Sequence, residues 1–214
     1  MKTNSKNSML PYFRTIIKPT SSFEKLLNNE KYFSLSFLYI AIPIVAYTIM
    51  YIFLTIAHGA PSTLTPWLNI SKADYYEINR FLLAPSMILS WWTATTFIHI
   101  LSRSAKGTGT FEQTLAVISL SISIAMWGGL IHDLPMSFFS AVGVINAKQH
   151  EIAMNSPTIF RTLLWTCYSV YFIAFFVLFP ISVRVVHKLN WLKSILIGFF
   201  GFVIFQLIFL IFNR

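Results

Sequence analysis

Five long apolar runs, separated by short polar loops, constrain this chain more than any other feature. They cover roughly Phe33–Ala57, Phe81–Leu101, Thr114–Ile131, Thr162–Val186 and Ser194–Phe212. Each is close to the ~20 residues that a helix needs to cross ~30 Å of hydrocarbon. Inside lipid, every backbone N–H and C=O must be bonded within the protein, so the expected class is all-α. The reading is a polytopic bundle of five transmembrane helices, with residues 33–214 as the membrane domain. Residues 1–32 form an N-terminal segment. Hydrophobic residues make up 56% of the 214 residues and charged ones 11%, which leaves no room for a separate soluble catalytic domain.

The formal charge of +9 follows from topology. Eleven of the sixteen Lys and Arg fall before the first run or in the loops after the second and fourth, among them Arg103, Lys106, Arg184, Lys188 and Lys193. That bias predicts a cytoplasmic N-terminus, a C-terminus outside, and a basic inner face suited to an anionic leaflet. The basic residues do not interleave with aromatics on a polar surface, so nucleic acid is not an expected partner. The first run starts too late and is too long for a cleaved signal peptide.

The local signals can be placed on this frame. Tyr12, Phe13, Ile16 and Ile17 mixed with Arg14 and Lys18 predict a segment lying on the cytoplasmic lipid surface. Ser21 and Glu24 predict a capping box for an interfacial helix. Pro43 and Pro180 predict kinks in the first and fourth spans. Trp67 is an expected interface anchor, and Asn69, Ile70 and Ser71 match a glycosylation sequon. Ser71 and Asp74 predict a short capped helix to Arg80. Thr110 and Gln113 predict a capping box for the third span, and Ser156 and Pro157 a cap and first residue for the fourth. Phe138, Phe139, Val142 and Ile145 predict a segment on the outer leaflet.

No Asp, Glu, Lys or Arg lies deep within a run, whereas ion-coupled transporters carry such groups at depth. The polar residues that do enter are hydroxyls and small side chains. Ser86, Ser90 and Thr93 share a face of the second span. Ser121, Ala125 and Gly129 do so on the third, Thr162, Thr166 and Ser169 on the fourth, and Ser194 and Gly198 on the fifth, where Gln206 is the most polar group. These patterns fit close helix packing with hydroxyl bonds across helices, or a polar solute path, and packing is the preferred reading. His58, His132 and His150 with Asp133 and Glu151 fall on the outer side. They could make a zinc or acid–base site, but they come from separate loops without an H-x-x-x-H or H-E-x-x-H helix. Structural or solvated histidines are the preferred reading. His99 and His187 are read as anchors at the inner interface. Cys167 has no intramolecular partner. The expectation is a non-enzymatic protein without catalytic residues, cofactor or metal.

Several features converge on a known family. Pro19, Thr20, Ser21, Ser22, Phe23 and Glu24 lead into the first span. After the second comes the glycine-rich turn Gly107, Thr108, Gly109, Thr110, followed by Phe111, Gln113 and Leu115 in a Phe-x-Gln-x-Leu pattern. A basic hairpin then leads into Trp191, Leu192, Lys193 and Ser194. Together these resemble the YIP (Ypt/Rab-interacting protein) domain family in its short prokaryotic form, from about Pro19 onward. The resemblance implies a five-span bundle in a prokaryotic cytoplasmic membrane, without a known active site. Eukaryotic members bind small GTPases through a long N-terminal region with an acidic-aromatic motif, which this chain does not show. Among prokaryotic members, the resemblance implies that some assist membrane complexes, including export transporters. The expected partners are therefore lipid and another membrane protein or a second copy of the chain. The preferred function is docking to a membrane assembly or organising lipid; a transporter or pore for a small solute is the alternative.

Overall fold

A computed structural model describes residues 10–61, 68 and 70–213. The expectations for Trp67 and Asn69 lie outside the described residues. Among the described residues there are eight helices and no strand: α1 (Leu10–Arg14), α2 (Pro19–Leu27), α3 (Tyr32–Ile56), α4 (Tyr75–Ser104), α5 (Phe111–Ala141), α6 (Ala147–Asn155), α7 (Ile159–His187) and α8 (Trp191–Asn213). Five of them, α3, α4, α5, α7 and α8, are long and apolar enough to cross a membrane.

Helix α5 is the axis of the bundle. Its apolar stretch is 89% buried, against 33–50% in the other four spanning helices. Helix α5 packs on α3, α7 and α4, α3 packs on α4, and α8 lies between α4 and α7 on the outer side. The ring of these four helices does not close, because α3 and α7 lack extensive contact with each other. The outward faces are apolar, with Val45, Ile88, Trp92, Phe176, Leu196 and Leu207 exposed as a surface for lipid. The near end of the bundle is where α3, α5 and α8 begin; the far end is where they finish.

The N-terminal helices fill the near half of the gap between α3 and α7. The surface-lying segment expected there is instead built into the bundle. Tyr12 is 3% exposed, and its Oη lies 2.9 Å from Ser123 Oγ and accepts from Trp127 Nε1 at 2.6 Å. Ser123 is ~18 Å along α5 from Phe111, and a bilayer's half-thickness is ~15 Å, so α1 reaches the middle of the membrane. The Tyr12 ring also meets Tyr39 of α3, and Phe23 and Leu26 of α2 are buried with Ala116, Val117, Leu120, Val185 and Val186. Phe13, Ile16 and Ile17 face outward, which suits an element bathed in lipid. Basic residues in this segment suggested the surface; three polar bonds at Tyr12 and the apolar face of α2 hold it inside.

Several boundaries differ from the sequence reading for identifiable reasons. Helix α2 starts at Pro19, where proline's fixed φ suits the first turn, and not at a Ser21 box. Thr158, not Ser156, caps α7, since its Oγ1 accepts from Arg161 N at 3.3 Å. Ser71 and Asp74 pair in a turn at 2.7 Å, and the helix that follows continues unbroken into α4. Helix α5 runs through Pro135 to Ala141, so Phe138 and Phe139 belong to it, and Phe138 packs on Phe53. Proline removes a single ladder bond there.

Candidate functional site

The near-end turn is docked onto the end of α7. Thr110 and Gln113 form the expected capping box: Gln113 N donates to Thr110 Oγ1 at 3.3 Å, and Thr110 N to Gln113 Oε1 at 3.1 Å. The two glycines in the turn are required by close approach. A Cβ at Gly107 would lie 2.7 Å from His187 Cβ, and one at Gly109 would lie 2.7 Å from the Val186 carbonyl oxygen. Thr108 N donates to His187 O, and Arg103 Nη1 to Gly107 O. Phe111 packs its edge on Trp92 and His99. His99 and His187, expected as interface anchors, flank Thr114 Oγ1 at 3.5 and 3.0 Å, and His187 is 1% exposed.

Several hydroxyls on the spanning helices bond within and across them, although the buried Thr95, Ser102 and Ser194 hydroxyls find no hydrogen-bond partner among the described residues. Ser86 Oγ donates to Leu83 O and accepts from Asn213 Nδ2 at 2.9 Å, and Ser90 Oγ donates to Ser86 O. Thr93 is half-buried one turn further on. Ser121 Oγ and Ser182 Oγ are 2.7 Å apart across α5 and α7, and Tyr171 Oη donates to Gln206 Oε1 at 2.7 Å across α7 and α8. Ala125, Gly129 and Gly198 are buried, and a Cβ at Gly198 would come within 2.6 Å of Pro180 N.

The far end brings together the part-buried Asp133 and two histidines. Because α5 continues past the apolar run, Asp133 sits inside a helix, ~12 Å short of its end. It lies just beyond the Thr114–Ile131 run, near the run's end, where the sequence places it. Its side chain is 23% exposed, and Oδ1 lies 2.8 Å from Nδ1 of the buried His132. Tyr47 of α3 and Tyr76 of α4 are its electrostatic neighbours, and Glu151 bears on Tyr76 as well. His150 of α6 lays its ring along His132, centroids 5.8 Å apart and planes at 23°. His58 is exposed and lines a separate groove of about 390 Å³ with Ser140, Gly143 and Lys148. Among the described residues, no group of three or more His, Cys, Asp or Glu is placed to hold a metal ion.

One polar face turns away from the bundle. Thr162, Thr166 and Ser169 are exposed on the far half of α7, each hydroxyl donating to the carbonyl four residues earlier. With Arg161 and Trp165 they line a groove of about 780 Å³.

Comparison with known families decides the identity: the Yip1 domain profile matches residues 13–212. The chain belongs to the Yip1 domain family. It is a multi-pass membrane protein of that family, all-helical in its described residues. No curated protein and no solved structure matches it.

In this Yip1 protein the sequence missed Tyr12 and Gly128. A Cβ at Gly128 would lie 2.5 Å from Tyr171 N, so α5 meets the α7 backbone closely there; Gly129 beside it faces only side chains. Two adjacent glycines point to close packing without saying which one meets a neighbour. Tyr12 could be found only by knowing that Ser123 and Trp127, one turn apart on α5, lack partners on the spanning helices.

Proposed function

We propose that this Yip1 protein is a non-enzymatic component of a prokaryotic cytoplasmic membrane that docks to another membrane assembly, such as an export transporter. Its N-terminus is cytoplasmic and its C-terminus outside, on the strength of the charge bias. The basic near end then meets the anionic leaflet. The observation that carries the docking reading is the outward hydroxyl face of α7. Hydroxyls elsewhere in the spans bond across helices at Ser121–Ser182 and Ser86–Asn213. Thr162, Thr166 and Ser169 are set at the same helical spacing but face out, where a partner's transmembrane helix could lie against them.

A solute pathway is the second reading. The part-buried Asp133, paired with His132 at the far end of α5, is the observation in its favour, since carboxylates held within a helical bundle mark ion and proton routes. Extraction in native lipid separates the two. Docking requires a stoichiometric membrane partner with the wild type that is lost when Thr162, Thr166 and Ser169 are all replaced by leucine. Solute flux conferred on liposomes by the protein alone, with no partner recovered, would reverse the order of the two readings.

A further inference from the structure

We propose that α6 is a proton-sensitive latch, docked on the far end of the bundle while the His150 imidazole is neutral and released when that ring takes up a proton. The inference is independent of what the protein docks to.

Helix α6 has nine residues, too few to persist as a helix without tertiary support. Its support is concentrated in few places. Ala147 is buried, Thr158 Oγ1 donates to Ala153 O at 2.7 Å, and the His150 ring is held between His132 of α5 and the edge of Phe160 of α7, at 5.8 and 6.2 Å.

The His132 side of that contact leaves no capacity for a second charge. His132 is 5% exposed, its Nδ1 is engaged by Asp133, and its Nε2 has no hydrogen-bond partner. The Asp133 carboxylate is committed to His132 Nδ1, so a proton on His150 places a positive charge against a buried ring with no carboxylate of its own. The titratable groups that bear on His150 are His132 and Asp133, both from α5. From α7 it meets the uncharged Phe160. Tyr76 of α4 lies beyond, near Asp133 and the Glu151 carboxylate of α6. Burial first, and His132 second, hold the His150 imidazole below its ordinary value of 6.5, with Asp133 opposing them. The docked state thus binds its proton more weakly than the released state. Docking is at full strength above the ordinary value and weakens as pH falls from there toward the lowered one.

The test is hydrogen–deuterium exchange of the full chain in lipid nanodiscs, corrected for the intrinsic pH dependence of exchange. Amides of residues 147–155 should lose protection as the pH is lowered from about 7.5 to about 5, by up to ~tenfold for each pH unit between the two imidazole values. Amides of residues 119–124 in α5 should hold theirs. His150→Phe keeps a stackable ring that cannot be protonated, and should leave α6 protected across the whole range. Protection of wild-type α6 that does not change with pH would overturn the proposal. So would α6 unprotected at every pH, or an identical pH response in H150F. The wild-type titration decides the matter even if the variant does not fold.

Discussion

Alanine at Gly128 must push α5 and α7 apart. The added Cβ would sit 2.5 Å from Tyr171 N and 2.6 Å from its Cα, where ordinary contacts are 3.4–4 Å. Those are backbone atoms, so no side chain can rotate away, and the helices must separate by ~1 Å in a densely packed interior. Such overpacking costs ~3 kcal/mol at the upper end of its range. Replacing a helical glycine by alanine returns ~1 kcal/mol. The net loss is ~2 kcal/mol, equivalent to a fall of roughly 4–8 °C in melting temperature for a domain of this size. Gly129→Ala is the control on the adjacent residue. Its Cβ would meet the terminal hydroxyl of Tyr47 at 3.1 Å, the far end of a side chain that can give way. That variant should melt at or slightly above the wild-type temperature. Thermal unfolding followed by helical circular dichroism in one mild detergent compares the two. Equal melting temperatures for the two alanine variants, or a Gly128→Ala protein as stable as the wild type, would show that the α5–α7 contact is not the tight interface described.

Two further outcomes follow from bonds already described. Tyr12→Phe removes the acceptor from the Trp127 indole N–H and costs ~1–3 kcal/mol; residues 10–27 should become sensitive to added protease while the five spans stay folded. Ser121→Ala and Ser182→Ala, made singly and together, should show a coupling of ~1 kcal/mol in a double-mutant cycle of unfolding, and additive losses would mean that the two hydroxyls do not bond across α5 and α7.

The spanning helices were legible because lipid demands a run of apolar residues whatever its partners are. The Thr110 cap was legible because a capping box is a local contact between residues three apart. The full length of α5 was not legible because an apolar run ends where hydropathy falls, whereas a helix ends where its backbone bonds do; α5 outlasts its run by ten residues. The far-end association of His132, Asp133 and His150 depends on a turn after Ala141 that brings α6 back over α5, and no spacing in the chain records it. The α7 hydroxyls were readable as a face but not as an outward one. Period alone says that residues share a side, and only the arrangement of the other helices says whether that side is covered.

The seat of Tyr12 has a consequence for how the chain is assembled in time. Tyr12 and the neighbouring α2 wedge against Ser123, Trp127, Val185 and Val186, which are made about a hundred residues or more after them. Until α5 and α7 have been inserted, that segment has nothing to hold it. It must wait on one side of the bilayer and slot in last, so that an early-made stretch becomes the closing piece of the bundle.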